Sequence, residues 1–348
     1  MIFKQAQRDF GSAALGILVL AGLAFGRGGH SSGDNDQDAP KGAVRIAYFP
    51  NVTHAPALVG VARGTFARDL PGYRVETKVV NAGPEAMEAL LAKAIDFAYV
   101  GPSPAINTYL KSNGKALRIL AAACTGGASL ICRGDENIAS VRDLDGKRVA
   151  VPQIGGTQDV SLRHFLAAQN LYPKERGGTV QIMPIANPDI LALFKQKQID
   201  AAWVPEPWAS RLRDDAGGKT VVDERDLWPN HRFTTTVLVV RKEYQDEHPD
   251  VVAQVVRAHL ATLAWLKLNP EEGQKITNAE LKRLTGKQLA PSILKEAWEH
   301  VSFEADPNEP NLEAFAAAAR EAGYGKAGST TLDALVDHTA LAVAESRP

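Results

Sequence analysis

Four short loops carry residue types suited to holding a small anion. They are residues 50–54, 101–103, 153–158 and 205–208. The first contains Asn51, Thr53 and His54, the second Gly101 and Ser103, the third Gly156, Thr157 and Gln158, and the fourth Glu206 and Trp208. Three of them feed helical patterns through a small or hydroxyl residue: Thr53, Ser103 and the Gly156-Thr157 pair. A helix N-terminus presents free N–H groups and partial positive charge, worth about 0.3–1 kcal/mol to an anion when exposed and up to about 2 when partly buried. Taken singly, each residue is an ordinary helix cap. Converging at one sheet edge, they hold an oxyanion with no Arg or Lys in contact.

Trp203 and Trp208 flank Glu206, and two readings stay open. Either the tryptophans are core aromatics and Glu206 is a helix-opening carboxylate, or the indoles wall an organic tail and Glu206 faces a cationic group on the ligand. A carboxylate facing a bound anion is costly: two like charges at ~4 Å and an effective dielectric of ~20 repel by about 4 kcal/mol. So Glu206 points away, or the ligand carries an ammonium. His54 reads either as a donor to the ligand or as a solvated loop histidine. The eight histidines show no HExxH and no paired spacing, so no metal site is expected. Nor is there a GxSxG, a P-loop, or a GxGxxG after a strand, and no cofactor is expected.

The elements that position these loops alternate strand with helix, which implies mainly parallel sheets covered on both faces. Strands are expected at residues 44–49, 73–80, 97–100, 117–124, 130–133, 148–151, 180–184, 201–204, 220–222 and 233–240. Helices are expected from about 55 to 68, 84 to 93 and 103 to 112, the last with Ser103 as N-cap and Pro104 at its first position. Others begin near 140, 157, 187 and 206, and the C-terminal region reads as helices 249–269, 270–285, 291–300, 311–322 and 331–344.

One stretch, Ile95-Asp96-Phe97-Ala98-Tyr99-Val100-Gly101-Pro102, is echoed by Ile199-Asp200-Ala201-Ala202-Trp203-Val204-Pro205. Arg45-Ile46-Ala47 is echoed at nearly the same offset by Arg148-Val149-Ala150. The chain thus reads as two copies of one strand–helix–strand–helix–strand unit, giving two α/β lobes around a central cleft. The expected division is lobe 1 at 43–127 and 234–348, with the C-terminal helices, and lobe 2 at 128–233. Two crossings, near 125–128 and 233–236, would act as hinges.

A length of 348 residues suits about two domains. The 39 basic and 40 acidic side chains leave no basic excess, so a nucleic-acid partner is not expected. Lys4 and Arg8 precede an apolar run from Phe10 to Gly26, the pattern of a secretory signal peptide or an uncleaved anchor, here assigned to 1–26. Residues 27–42 read as a flexible tether. Cys124 and Cys132 are either two buried thiols or, in an oxidising compartment, a disulfide across the crossing.

Residues 44–55 (VRIAYFPNVTHA), 95–104 (IDFAYVGPSP) and 204–210 (VPEPWAS) resemble the periplasmic binding proteins for nitrate, sulfonates and taurine that serve ABC importers, most of all the aliphatic-sulfonate branch. The resemblance covers almost the whole chain after the tether. It implies a type II periplasmic-binding fold, ligand-driven closure, a cleft lined by the loops of His54, Ser103, Thr157 and Glu206, a small organosulfonate ligand, and an ABC permease and ATPase as partners. The expected form is a periplasmic monomer. There is one departure. Sulfonate and taurine binders often carry consecutive hydroxyl residues after the glycine that opens the second-lobe helix. Here Gly156 is followed by Thr157 and then Gln158, which leaves the anion open. The lipidation cysteine is also missing: Leu23 stands in its place. Two other classes remain open at this point: a cleft enzyme of desulfinase-like or pyrimidine-biosynthesis-like type, which needs a nucleophilic Cys or reactive His in the cleft, and a membrane-tethered sensor.

Overall fold

The computed structural model describes residues 41–324 and 331–346. The segment assigned to an export signal, and the tether up to residue 40, lie outside the described residues. The first strand already begins at Gly42, inside the stretch assigned to the tether.

From there β1 (Gly42–Tyr48), α1 (Ala55–Ala62), α2 (Thr65–Asp69), β2 (Tyr73–Val79), α3 (Gly83–Leu91), β3 (Phe97–Val100), α4 (Pro102–Lys111) and β4 (Leu117–Gly126) follow in order. A second series comprises β5 (Ala128–Arg133), β6 (Arg148–Val151), α5 (Thr157–Ala167), β7 (Gln181–Pro184), α6 (Asn187–Lys195), β8 (Ala201–Pro205), α7 (Trp208–Ala216) and β9 (Gly218–Asp223). The chain then returns through β10 (Thr234–Arg241) to α8 (Lys242–Glu247), α9 (Pro249–Leu268), α10 (Pro270–Thr285), α11 (Pro291–Glu299), β11 (Val301–Ser302), α12 (Glu309–Glu321) and α13 (His338–Ser346).

Two sheets result, ordered β11-β4-β10-β3-β1-β2 and β7-β6-β8-β5-β9. Central strands are buried along their whole length, as in β3 and β10. They therefore read as continuous apolar runs rather than as alternation. The sheets are mixed, not mainly parallel: β10 runs antiparallel to β3 and β4, and β5 antiparallel to β8 and β9. The reason is the crossing itself. Each sheet takes a strand, β5 or β10, from chain that has just arrived from the other sheet and runs back along it, and the two-residue β11 also runs antiparallel to β4.

The sequence echo survives as register. Ile46 faces Phe97 and Ala47 faces Ala98 in the first sheet; Val149 faces Ala201 and Ala150 faces Ala202 in the second. The duplicated Asp does the same work twice. The Asp96 carboxylate accepts from Arg45 N and Nε at 3.0 and 2.9 Å, and from Arg241 Nη2 at 3.2 Å. The Asp200 carboxylate accepts from Arg148 N and Nε at 2.8 and 3.0 Å, and from Arg133 Nη1 at 3.0 Å. Each clamp pins three strands at the sheet edge opposite the loops of interest.

Some boundaries differ from the sequence pattern. Gly64, with φ +66°, stops the first helix early and starts α2. Gly101 rather than Ser103 caps α4, because Pro102 takes its first turn. Helix α7 starts at Trp208, not Glu206. The last helix starts at His338, not Thr331, because the preceding backbone pairs with β4: Ile119 N donates to Leu335 O at 2.8 Å, and Asp337 N to Ile119 O at 2.8 Å. Helix α9 is long and apolar enough to cross a membrane. In this structure it is a core helix packed on α1, α2 and α13.

Candidate functional site

The carboxyl ends of β1, β2, β3, β6, β7 and β8 meet around an inner cavity of about 40 Å³, lined also by the start of β10. That is room for a few water-sized groups, the scale of a small oxyanion. Among the described residues no Lys, Arg, Asp or Glu lines it. Its polar groups come from both halves of the fold: Asn51, Thr53, His54 and Asn81 from the first, Gln153, Thr157, Gln158 and Asn187 from the second, and Thr235 and Thr236 from the return strand.

Several of these groups are aimed without a partner. The hydroxyls of Thr157 and Thr236 and the amide oxygens of Gln153 and Asn187 are buried and unbonded. A buried hydroxyl left unpaired costs about 1–3 kcal/mol, so an oxyanion accepting from it recovers that cost on binding. Thr157 comes so close to the first half that a Cβ on Gly101 would lie 2.1 Å from its Oγ1. Only glycine permits this approach.

His54 is buried and stacked on Phe49, with ring centroids 4.3 Å apart. Its Nδ1 accepts from Phe49 N at 3.3 Å, which leaves the proton on Nε2. Burial lowers its pKa from 6.5 to about 3, so the ring stays neutral. His54 is therefore an uncharged donor. Asn51 is oriented in the same sense: its Oδ1 accepts from Trp208 Nε1 at 3.0 Å, leaving its amide N–H groups to the cavity.

Asn51, Asn81 and Asn187 also line a second, outer chamber of about 710 Å³. Its walls are Pro50, Leu191, Pro207, Trp208, Leu281 and Leu289 among others, with Lys195, Arg211 and Lys287 at its polar positions.

Of the sequence candidates, Asn51, Thr53, His54, Gly101, Gly156, Thr157 and Gln158 line the inner cavity, and Trp208 lines the outer chamber. Three line neither. Ser103 Oγ donates to Gly155 O at 3.2 Å and accepts from Asn107 Nδ2 at 3.3 Å, so it ties the two halves together. Trp203 is a core residue. It stacks on Phe165 and donates from Nε1 to Glu224 Oε2 at 2.8 Å. Glu206 is buried and faces away, accepting from Arg213 Nη2 at 2.9 Å and Ser210 N at 3.0 Å. That removes it as a counter-charge to a ligand ammonium. Sequence reasoning placed Gln153 in a cleft loop without singling it out, and missed Phe49, Asn81, Asn187, Thr235 and Thr236. The Thr234-Thr235-Thr236 run was a usable signal, since three hydroxyls open a buried strand that continues as Val-Leu-Val-Val.

Cys124 and Cys132 are buried free thiols on different sheets, and burial pushes both thiol pKa values up. Neither lines the inner cavity or the outer chamber. Among the described residues no three His, Cys, Asp or Glu gather as a metal site.

The chain is similar to the taurine-binding periplasmic protein of Escherichia coli, at 28% identity over 246 residues, covering 70% of this chain and 74% of the relative. It is similar to a putative aliphatic sulfonates-binding protein of Bacillus subtilis, at 26% identity over 290 residues, covering 80% and 82%. Its structure resembles that of the alkanesulfonate-binding protein SsuA from Xanthomonas axonopodis pv. citri bound to MOPS, with a TM-score of 0.69 at 20% identity, over 82% of this chain and 94% of that one. The likeness establishes the fold as that of periplasmic binding proteins. The profile of the NMT1-like family matches residues 37–280, running through both crossings into the C-terminal helices, and because this is well over half of its length the chain belongs to the NMT1-like family.

Proposed function

We propose that this protein is the extracytoplasmic solute-binding component of an ABC importer, holding the oxyanion head of a small organosulfonate in the inner cavity and delivering it to a permease coupled to an ATPase. The observation that carries this reading is the charge-free cavity in which hydroxyls from both halves, Thr157 and Thr236, are buried without partners. Neutral donors suit a weakly hydrated monoanion. Shared ligation from two halves gives the ligand a reason to draw them together. The names of the sulfonate- and taurine-binding relatives support the reading. So do the signal-like residues 1–26, which imply a periplasmic location. The position of Glu206 favours an alkanesulfonate over an aminosulfonate, because its charge is already engaged by Arg213.

The protein binds rather than catalyses on this reading: its thiols sit in the cores, and His54 is neutral, with its Nδ1 already accepting from backbone. The functional lobes are 43–127 with 234–348, and 128–233, hinged at Gly126–Gly127 and at the start of β10. The working form is a monomer. Small-angle scattering should show compaction on adding ligand.

The deciding experiment is a thermal-shift panel of ethanesulfonate, taurine, nitrate, sulfate and bicarbonate. A ligand that binds only the folded form raises the melting temperature. Ethanesulfonate should stabilise the protein most. Stabilisation by nitrate or bicarbonate alone would overturn the organosulfonate assignment and leave the transport role standing.

A further inference from the structure

We infer that the natural ligand is two-headed: an organosulfonate-type oxyanion whose apolar body carries a second anionic group, received in the outer chamber by Lys195 and Lys287. The inference rests on the reading above for the first head. Four observations carry the second.

The first is size. The inner cavity of about 40 Å³ holds the oxyanion alone, while the adjoining chamber of about 710 Å³ has the volume of a pocket for a drug-sized organic molecule. A two-carbon tail leaves most of that chamber to water. The second is continuity. Asn51, Asn81 and Asn187 line both spaces, so one molecule can occupy both. The third is wall chemistry. Leu191, Leu281, Leu289 and the partly buried Trp208 give an apolar body surface to cover.

The fourth is charge. The whole chain is balanced, with 39 basic and 40 acidic residues. Yet among the described residues three cations and no Asp or Glu line this chamber. Arg211 is already compensated, by Asp215 at 3.2 Å and by stacking on Trp208 at 4.9 Å. Lys195 and Lys287 are in no ion pair among the described residues. They come from opposite sides. Lys195 ends α6, which packs on β8 of the second sheet, and Lys287 follows α10, which packs on α1 of the first half. Two like charges brought to one cavity from the two halves repel each other, and an anionic group between them reverses the sign of that interaction. The same field rejects an ammonium at this end of the ligand.

The test compares three probes by calorimetry at low salt, where exposed charges are least screened. Ethanesulfonate supplies the head alone, benzenesulfonate the head with an apolar body, and 4-sulfobenzoate the head, body and second anion. We expect 4-sulfobenzoate to bind about five- to tenfold tighter than benzenesulfonate, the scale of two exposed ion pairs. In the double variant Lys195→Gln, Lys287→Gln that ratio should fall to about one. Equal affinities in the wild-type protein, or a ratio that survives in the double variant, would overturn the inference. Binding of ethanesulfonate alone overturns it while leaving the functional reading intact. Failure of all three sulfonates to bind overturns both.

Discussion

The indole Nε1 of Trp208 donates to Oδ1 of Asn51 at 3.0 Å, a bond from the first turn of α7 in one half to the loop after β1 in the other. Because the oxygen of Asn51 is used, its amide N–H groups are the part left for the cavity. Trp208→Phe keeps the apolar wall and removes the donor. Sulfonate affinity should then fall about fivefold, the worth of one ordinary hydrogen bond, as read by calorimetry. An unchanged affinity would mean that Asn51 needs no orienting.

Thr157→Val and Thr236→Val replace unpartnered buried hydroxyls by methyl groups of the same shape. Each should weaken sulfonate binding roughly ten- to a hundredfold, because hydrogen bonds to charged groups are worth about 1.5–3 kcal/mol. The ligand-free variants should be as stable as the wild type or more so, since an unpaired donor has been removed. Loss of stability together with loss of binding would assign these residues to the scaffold instead.

Ligand affinity should be flat between about pH 5 and 8, because His54 remains neutral throughout, with a pKa lowered to about 3. A step in Kd near pH 6 would place a protonated histidine on the anion.

Stability should depend on pH through three buried groups of opposite sign. Desolvation lowers the pKa of His54 from 6.5 to about 3 and that of His259 from 6.5 to about 4. The unfolded chain binds these protons first. Their contribution is therefore complete above pH 6.5 and lost as pH falls towards 4 and 3. Glu224 moves the other way: burial raises its pKa from 4.5 to about 7, against donors from Ser161, Trp203 and Trp228. Its contribution is present below pH 4.5 and lost as pH rises through 7. The stability difference between the wild type and Glu224→Gln, in which the two histidine contributions cancel, should decline as pH rises from about 4.5 to about 7 and level off above that. A difference that does not change with pH across that window would show that Glu224 is ionised in the folded protein.

Asp96→Asn removes the buried carboxylate shared by Arg45 and Arg241, which keep Lys93 O and Glu243 respectively as their remaining partners. Urea denaturation should show a loss of about 1.5–3 kcal/mol, the scale of hydrogen bonds to a charged group when the partners are not left buried and unpaired. Asp200→Asn should cost less, because Asp200 is 7% exposed and Asp96 0%. Equal losses would mean that burial does not set the cost of the clamp.

The sequence alone determined the repeated unit, the places of β1 to β10, though not the two-residue β11, and the sheet edge that carries the loops. Strands and helices follow from local periodicity and from residues such as Pro, Gly and Ser, and the paired echoes of Ile95-Asp96 and Arg45 came out as matching register and matching clamps. Seven loop residues named from that edge reached the inner cavity. What only the tertiary structure decided was direction. Whether Glu206 faces a ligand or Arg213, whether Trp203 walls a site or fills a core beside Phe165, and whether Ser103 meets an anion or Gly155 depend on which side chain lies across a gap from it. Those neighbours are distant in sequence, and no local pattern encodes them. The reversal of β5 and β10 was likewise hidden, because an antiparallel buried strand and a parallel one bury the same apolar residues, and only the path of the crossing sets the sense in which they run.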